Sequence, residues 1–151
     1  MISKGSNLPD EDHVMRYVPW ARLRKDEDDN VVGFLPQAFE LRKGEESLSV
    51  SWLEYFNGDR NQRIRESVNM FRKTREIGAR SAYAIGNVLR IKEVCSAKGA
   101  RVRVVCDPLK ENPAHSEIRR LPPNDLGLLD ALATQAFVDL VRNAGVPEPA
   151  A

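Results

Sequence analysis

The chain has 151 residues, of which 42% are hydrophobic and 30% charged, and its formal net charge is +1. This length predicts one domain, and the apolar fraction excludes a chain too polar to bury a core. No segment approaches the roughly 18 uncharged apolar residues of a membrane span, and residues 1–6 lead into acidic residues instead of an apolar signal core. We therefore expect a cytoplasmic protein without a membrane partner.

The first third of the chain predicts short strands that follow a polar, flexible lead-in over residues 1–12. In the first strand, Val14, Arg16 and Val18 fall on one face of an extended chain, and Pro19 ends the pairing. A charged turn precedes the second strand, and alternating apolar residues and serines mark the third. These predicted strands cover residues 13–18, 31–35 and 47–52.

The middle of the chain predicts two helices. Asp59 is the expected N-cap of the first, which runs from residue 60 to about residue 77 and ends at Gly78. Asn87 is the expected N-cap of the second, which ends near residues 98–99. Further strands are predicted at residues 81–85, 101–106 and 114–118.

The last helix is predicted to begin at an Asn124 cap and to continue through Leu140, because leucines, alanines and Phe137 recur there at helical spacing. Residues 144–151 contain two prolines and no periodic apolar pattern, which predicts a disordered tail. The sequence therefore predicts a single α+β domain over residues 13–143. It should contain about three helices and a short, mostly antiparallel sheet of about four or five strands.

Charge is unevenly distributed along the chain. Residues 1–58 carry 7 basic and 11 acidic groups, a net −4. Residues 59–120 carry 15 basic and 7 acidic groups, a net +8, and residues 121–151 carry 1 and 4, a net −3. A positive face that attracts anions is one consequence. The other interpretation is that the acidic ends fold back onto the basic middle and cancel its field.

The first predicted helix, its cap and the turn after it carry 7 basic and 3 acidic groups over residues 59–80, which is half of this net positive charge. The planar guanidinium group suits two-pronged phosphate contacts. The candidate binding residues are Arg60, Arg63, Arg65, Arg72, Lys73, Arg75 and Arg80. We expect a noncatalytic module that binds an anionic macromolecule, either nucleic acid or an acidic protein surface. An ordinary solvated helix is the competing interpretation.

No phosphate-binding loop, dinucleotide-binding glycine motif, zinc-protease motif or serine-hydrolase elbow occurs in the sequence. Cys95 and Cys106 have neither metal-ligand spacing nor the density of a disulfide scaffold. We therefore expect no metal and, for a binding module, no cofactor.

Polar residues on three predicted strands suggest an enzyme as the alternative function. The set consists of His13, Arg16, Ser49, Ser51, His115 and Glu117. Their order resembles that of ADP-ribosyltransferase-like domains, although Val50 stands where the commonest family pattern has a threonine. The resemblance implies a small NAD-consuming enzyme in which Arg16, Ser49, Ser51, His115 and Glu117 line one cleft.

Overall fold

The computed structural model describes residues 3–148. Its strands are β1 (His13–Val18), β2 (Leu23–Lys25), β3 (Val31–Phe34), β4 (Ser47–Trp52), β5 (Ala82–Asn87), β6 (Arg103–Cys106), β7 (His115–Arg119) and β8 (Asp139–Arg142). Its helices are α1 (Arg60–Thr74), α2 (Val88–Ala97) and α3 (Leu126–Ala131), the last continued by a π-helical turn at Leu132–Ala136. Short 3-10 turns lie at Trp20–Arg22, Pro36–Phe39, Leu53–Tyr55 and Asn143–Gly145.

Six strands form one sheet in the order β6-β7-β4-β1-β5-β8, with each neighbouring pair antiparallel. The hairpin β2–β3 forms a separate two-stranded sheet. The predicted α+β class is confirmed, with more strands than the four or five expected. Within residues 3–148, no helix is long and apolar enough to cross a lipid bilayer.

The six-stranded sheet separates two apolar cores, because alternate side chains of each strand point to opposite faces. On β1, Val14 and Val18 belong to the larger core, which also contains residues of α2, α3 and the β2–β3 hairpin. Met15 belongs to the smaller core, with apolar residues of α1. The six-stranded sheet is therefore covered by α1 on one face and by α2 and α3 on the other.

The predicted N-caps of the first two helices are confirmed. Asp59 Oδ1 accepts a hydrogen bond from the Gln62 N–H at 2.9 Å, and Gln62 Oε1 accepts from the Asp59 N–H at 2.8 Å. Asn87 Oδ1 accepts from the Arg90 N–H at 2.9 Å. Each bond satisfies a backbone donor that the first helical turn leaves without a partner.

Helix α1 ends earlier than predicted, at Thr74 instead of residue 77, so Gly78 does not terminate it. Arg75 is already extended, and its guanidinium carbon lies 4.8 Å from the centre of the Phe71 ring. The Gly78 N–H donates to the Tyr17 hydroxyl at 3.1 Å. Arg75 thus packs back on α1, and the bond to Tyr17 holds Gly78 beside β1 after the helix has ended.

The prediction of the last helix is wrong beyond its first turns, and the predicted N-cap is also wrong. Asn124 has a positive φ of 59°, and the cap is Asp125, whose Oδ1 accepts from the Leu128 N–H at 3.0 Å. The helix stops after the π-helical turn, and the Phe137 N–H bonds to the Leu132 carbonyl at 2.9 Å. Residues 139–142 then form β8 at the edge of the sheet, where they pair with β5.

The segment before β1 lies along β6. Its backbone forms hydrogen bonds with β6, including one from the Leu8 N–H to the Val104 carbonyl at 2.9 Å, and Leu8 is buried in the larger core. At the other end of the chain, Val146 is buried in the smaller core. The predicted flexible lead-in and disordered tail also include residues 1–2 and 149–151, which lie outside the described residues.

Tyr83 gives the fold an expected pH dependence at alkaline pH. Burial raises the pKa of Tyr83 to about 12, so between pH 10 and pH 12 the folded chain binds more protons at this residue than the unfolded chain. The resulting stabilisation is complete below pH 10 and is lost as the pH rises through 12. In urea titrations across this range, Tyr83→Phe should show a weaker loss of stability with pH than the unsubstituted protein. Parallel pH dependences would contradict this assignment.

Candidate anion-binding site

The candidate site lies where β1 and β4 separate. These strands pair at Val14 with Trp52 and at Met15 with Ser51, and the register does not continue to Arg16. Instead, Arg16 Nη1 donates to the Ser49 carbonyl and Arg16 Nε donates to the Ala38 carbonyl, both at 2.7 Å. The guanidinium group therefore joins β1 to β4 and to the 3-10 turn at Pro36–Phe39.

A cavity of about 250 Å³ opens beside this guanidinium group. We call it the arginine pocket. It is lined by Arg16, Tyr17, Pro19, Arg22, Ala38, Arg42, Glu45, Ser49 and Arg75. Four of its nine lining residues are arginines and one is a carboxylate, so its formal charge is strongly positive.

The chain itself neutralises only part of the positive charge of the arginine pocket, because Glu45 is the one carboxylate among its lining residues. Within residues 3–148, none of its four arginines forms an ion pair with a carboxylate. The Glu45 carboxylate accepts from the backbone N–H of Arg42 at 2.7 Å. A bound anion would therefore meet guanidinium groups that form no direct ion pair, with Glu45 as the one carboxylate nearby.

Burial lowers the pKa of Arg16 to about 10, the Glu45 charge opposes that change, and the other three arginines of the pocket add to it. Burial and the Arg42 charge also lower the pKa of Arg75. Both shifts have the same physical cause, which is positive charge removed from water and placed near more positive charge. An anion in the pocket would relieve both effects.

A second group of cations surrounds Trp20, which belongs to the same short turn as Arg22. We call it the Trp20 cluster. Lys25 Nζ and the guanidinium carbon of Arg80 each lie 4.2 Å from the Trp20 ring centre, and that of Arg142 lies 6.0 Å away. Cations at these distances are attracted to the face of the indole ring. The arginine pocket and the Trp20 cluster thus form adjoining positive surfaces.

The structure assigns different contacts to the seven binding residues predicted from sequence. Arg75 lines the arginine pocket and Arg80 belongs to the Trp20 cluster. Arg65 and Lys73 are exposed on α1. The other three, Arg60, Arg63 and Arg72, contact other parts of the chain.

Those three contacts differ in kind. Arg60 pairs with Asp139 at 2.9 Å, on the protein surface. Arg63 Nε donates to the Phe56 carbonyl at 3.0 Å. Arg72 donates to the backbone carbonyls of residues 143, 146 and 147, which ties the C-terminal turn to α1. Arg72 is therefore occupied by a structural role, whereas Arg60 is in an exposed and weak ion pair.

Arg22 and Arg42 are pocket residues that the sequence did not single out. They lie in the acidic first part of the chain, which has a net charge of −4, so the charge distribution directed attention elsewhere. Arg22 comes from the turn after β1 and Arg42 from the segment before β4, and only the tertiary fold brings them near Arg75. No local sequence signal predicts that proximity.

The residues of the predicted enzyme cleft are only partly brought together. Arg16 and Ser49 share the arginine pocket, and Glu117 pairs with Ser49 across β4 and β7. Ser51 is buried and accepts from the Ser67 hydroxyl at 3.0 Å, and so faces α1 instead of a cleft. His13 is held by Glu54, with 2.8 Å between Nδ1 and Oε2. The NAD-consuming alternative stays a prediction.

Two residues of that predicted set, Ser49 and His115, belong to a polar chain beside the pocket, and its third member, Asp107, was not predicted. Ser49 Oγ lies 3.2 Å from His115 Nε2. On the far side of the ring, His115 Nδ1 lies 2.9 Å from the Asp107 carbonyl oxygen and 3.2 Å from Asp107 Oδ2. A nitrogen flanked by two acceptors carries the proton, which leaves Nε2 as the acceptor that faces the Ser49 hydroxyl.

Comparison of the chain with protein-family models, with curated proteins and with solved structures gives no match. The function proposed below therefore rests on the geometry of this chain.

Proposed function

We propose that this protein is a binding module for a phosphate-bearing polyanion, and that it uses the arginine pocket together with the Trp20 cluster. The observation that supports this proposal is the set of four arginines around one cavity, none of them in an ion pair with a carboxylate within residues 3–148. Unpaired like charges held together weaken a fold unless a counter-charge binds to them.

The chemistry of the pocket favours phosphate over a single carboxylate. A guanidinium group donates two parallel hydrogen bonds, and a phosphate presents several acceptor oxygens to more than one such fork. Arg16 already donates to two backbone carbonyls and Arg22 to one, so in this cavity of about 250 Å³ the forks of Arg42 and Arg75 supply most of the donors open to a ligand. The pocket therefore suits a phosphate group better than an aspartate or glutamate side chain.

The extent of the positive surface favours nucleic acid as the polyanion. Arg22 lines the pocket and lies two residues from Trp20, so the Trp20 cluster begins at the edge of the pocket. Cations beyond the pocket have a role if the ligand continues with further phosphates, as a nucleic acid strand does. Contacts of this kind are made to the backbone and do not depend on base sequence.

The binding proposal predicts that the affinity for an oligonucleotide falls steeply as the salt concentration rises, and that part of this fall is caused by the pocket residues. A labelled single-stranded oligonucleotide is titrated with the protein at several NaCl concentrations, and fluorescence anisotropy gives the dissociation constant. The double variant Arg42→Gln/Arg75→Gln should bind about 10- to 100-fold more weakly. Its salt slope should be shallower by about 1.4, because two phosphate contacts are lost.

The matched control is Lys98→Gln/Arg101→Gln, which removes the same charge from exposed residues at and beyond the end of α2. If the two double variants bind equally well, net charge alone explains the affinity and the pocket is not the site. Binding that does not change with NaCl would also contradict the proposal. Tighter binding to polyglutamate than to the oligonucleotide would show that the partner is an acidic protein surface.

A further inference from the structure

We propose that Ser49 is a nucleophile toward phosphate esters bound in the arginine pocket, with His115 as its general base. This inference rests on the proposed function, because the pocket must first hold a phosphate group. It goes beyond binding because it assigns a reaction class, the cleavage of a phosphodiester through a covalent phosphoseryl intermediate. The observation behind it is the hydrogen-bonded chain from Ser49 through His115 to Asp107, whose first member lines the pocket.

The geometry of this chain is that of an activated hydroxyl group. The distance of 3.2 Å from Ser49 Oγ to His115 Nε2 is within reach for proton transfer. The Asp107 carboxylate is 3.2 Å from the opposite ring nitrogen, where it stabilises the imidazolium that forms when the serine proton is taken up. The His115 and Asp107 side chains are 15% and 16% exposed, so the pair is shielded from water, and Ser49 is one of the residues that line the cavity.

The surroundings of Ser49 favour phosphorus over an acyl carbon as the target. Arg16 donates to the Ser49 carbonyl at 2.7 Å, and three more arginines line the same cavity. The transition state of phosphoryl transfer spreads negative charge over the non-bridging oxygens, and guanidinium groups stabilise that charge. An acyl substrate carries one developing oxyanion and would leave most of these donors without a partner.

The reaction has two balanced steps. In the first, Ser49 Oγ forms a bond to phosphorus as the bond from phosphorus to the leaving oxygen breaks, and that oxygen keeps the electron pair. The serine proton passes to His115 Nε2 and then to the leaving group or to solvent. In the second, a water oxygen attacks phosphorus and gives its proton to His115. The bond between phosphorus and Ser49 Oγ breaks, and the serine oxygen takes that proton back.

The test uses the full chain and bis(4-nitrophenyl) phosphate, an activated phosphodiester that releases 4-nitrophenolate in the first step. We expect release of the coloured product, together with a protein adduct of one 4-nitrophenyl phosphoryl group. Intact mass spectrometry detects the adduct, and peptide mapping should place it on Ser49. Ser49→Ala should abolish the adduct, and His115→Gln should slow product release by at least about 100-fold.

The control is Ser96→Ala, which removes an exposed hydroxyl from α2 and should leave the reaction unchanged. The inference is overturned if the unsubstituted protein releases no 4-nitrophenolate, or if its adduct maps to another residue. Both outcomes are read on the unsubstituted protein, so they do not depend on the folding of a variant. The oligonucleotide titration separates the two proposals. If the unsubstituted protein binds the oligonucleotide but forms no adduct, only the proposed reaction is refuted. If it does not bind the oligonucleotide, the proposed binding site is refuted as well.

Discussion

Replacement of Arg16 by methionine is expected to lower the free energy of unfolding by about 2 to 3 kcal/mol. The guanidinium group donates to the Ala38 and Ser49 carbonyl oxygens, both at 2.7 Å, and methionine donates to neither. Each lost bond involves a charged donor and leaves an acceptor without its partner, at about 1.5 to 3 kcal/mol. Removal of the buried charge offsets part of that loss. Urea unfolding curves measure the difference.

The same substitution should also remove the stabilisation that an anion confers. If inorganic phosphate binds the folded pocket alone, a concentration 100 times its dissociation constant stabilises the protein by about 2.7 kcal/mol. Arg16→Met should show little of this increase, and Arg16→Lys should show an intermediate one, because lysine keeps the charge but not the planar fork. Arg101→Met, which changes an exposed arginine, is the matched control. An Arg16→Met protein with unchanged stability and an unchanged response to phosphate would contradict the role given to this residue.

Replacement of Phe137 by alanine is expected to cost about 3 to 5 kcal/mol of stability. Phe137 is 1% exposed and stacks on Phe39, with ring centres 4.5 Å apart. It also packs on Gly86 of β5, where a β-carbon would come within 3.1 Å of the Phe137 ring. Loss of the ring therefore leaves a cavity between the sheet and the segment that follows α3.

The control for this prediction is the neighbouring residue. Val138 is 65% exposed, so Val138→Ala should change the stability by no more than about 0.5 kcal/mol. Both variants are measured by urea unfolding, and the dependence of the free energy on urea should keep the same slope if only the folded state has changed. Equal stability of the Phe137→Ala and Val138→Ala proteins would show that the stacked rings are not central to the core.

Local sequence patterns were sufficient to predict most elements but not their ends or the last one. Alternation identified β1, β4 and β6, and the side-chain caps at Asp59 and Asn87 identified the starts of α1 and α2. The apolar residues after Ala136 have helical spacing, yet they form a turn and then β8. Pairing with β5 stabilises this segment more than continuing the helix would, and the partner strand is more than 50 residues away in the chain.

The sequence by itself determined the α+β class, the caps of the first two helices and the presence of an arginine-rich middle, because these depend on neighbours within a few residues. Only the tertiary structure decided which charges act together. Arg22 and Arg42 come from the acidic part of the chain, yet they meet Arg16 and Arg75 around one cavity. Ser49 and His115 meet because β4 and β7 are neighbours in the sheet, although 66 residues separate them in the chain. Such proximity is created by strand pairing and core packing, so composition and spacing do not reveal it.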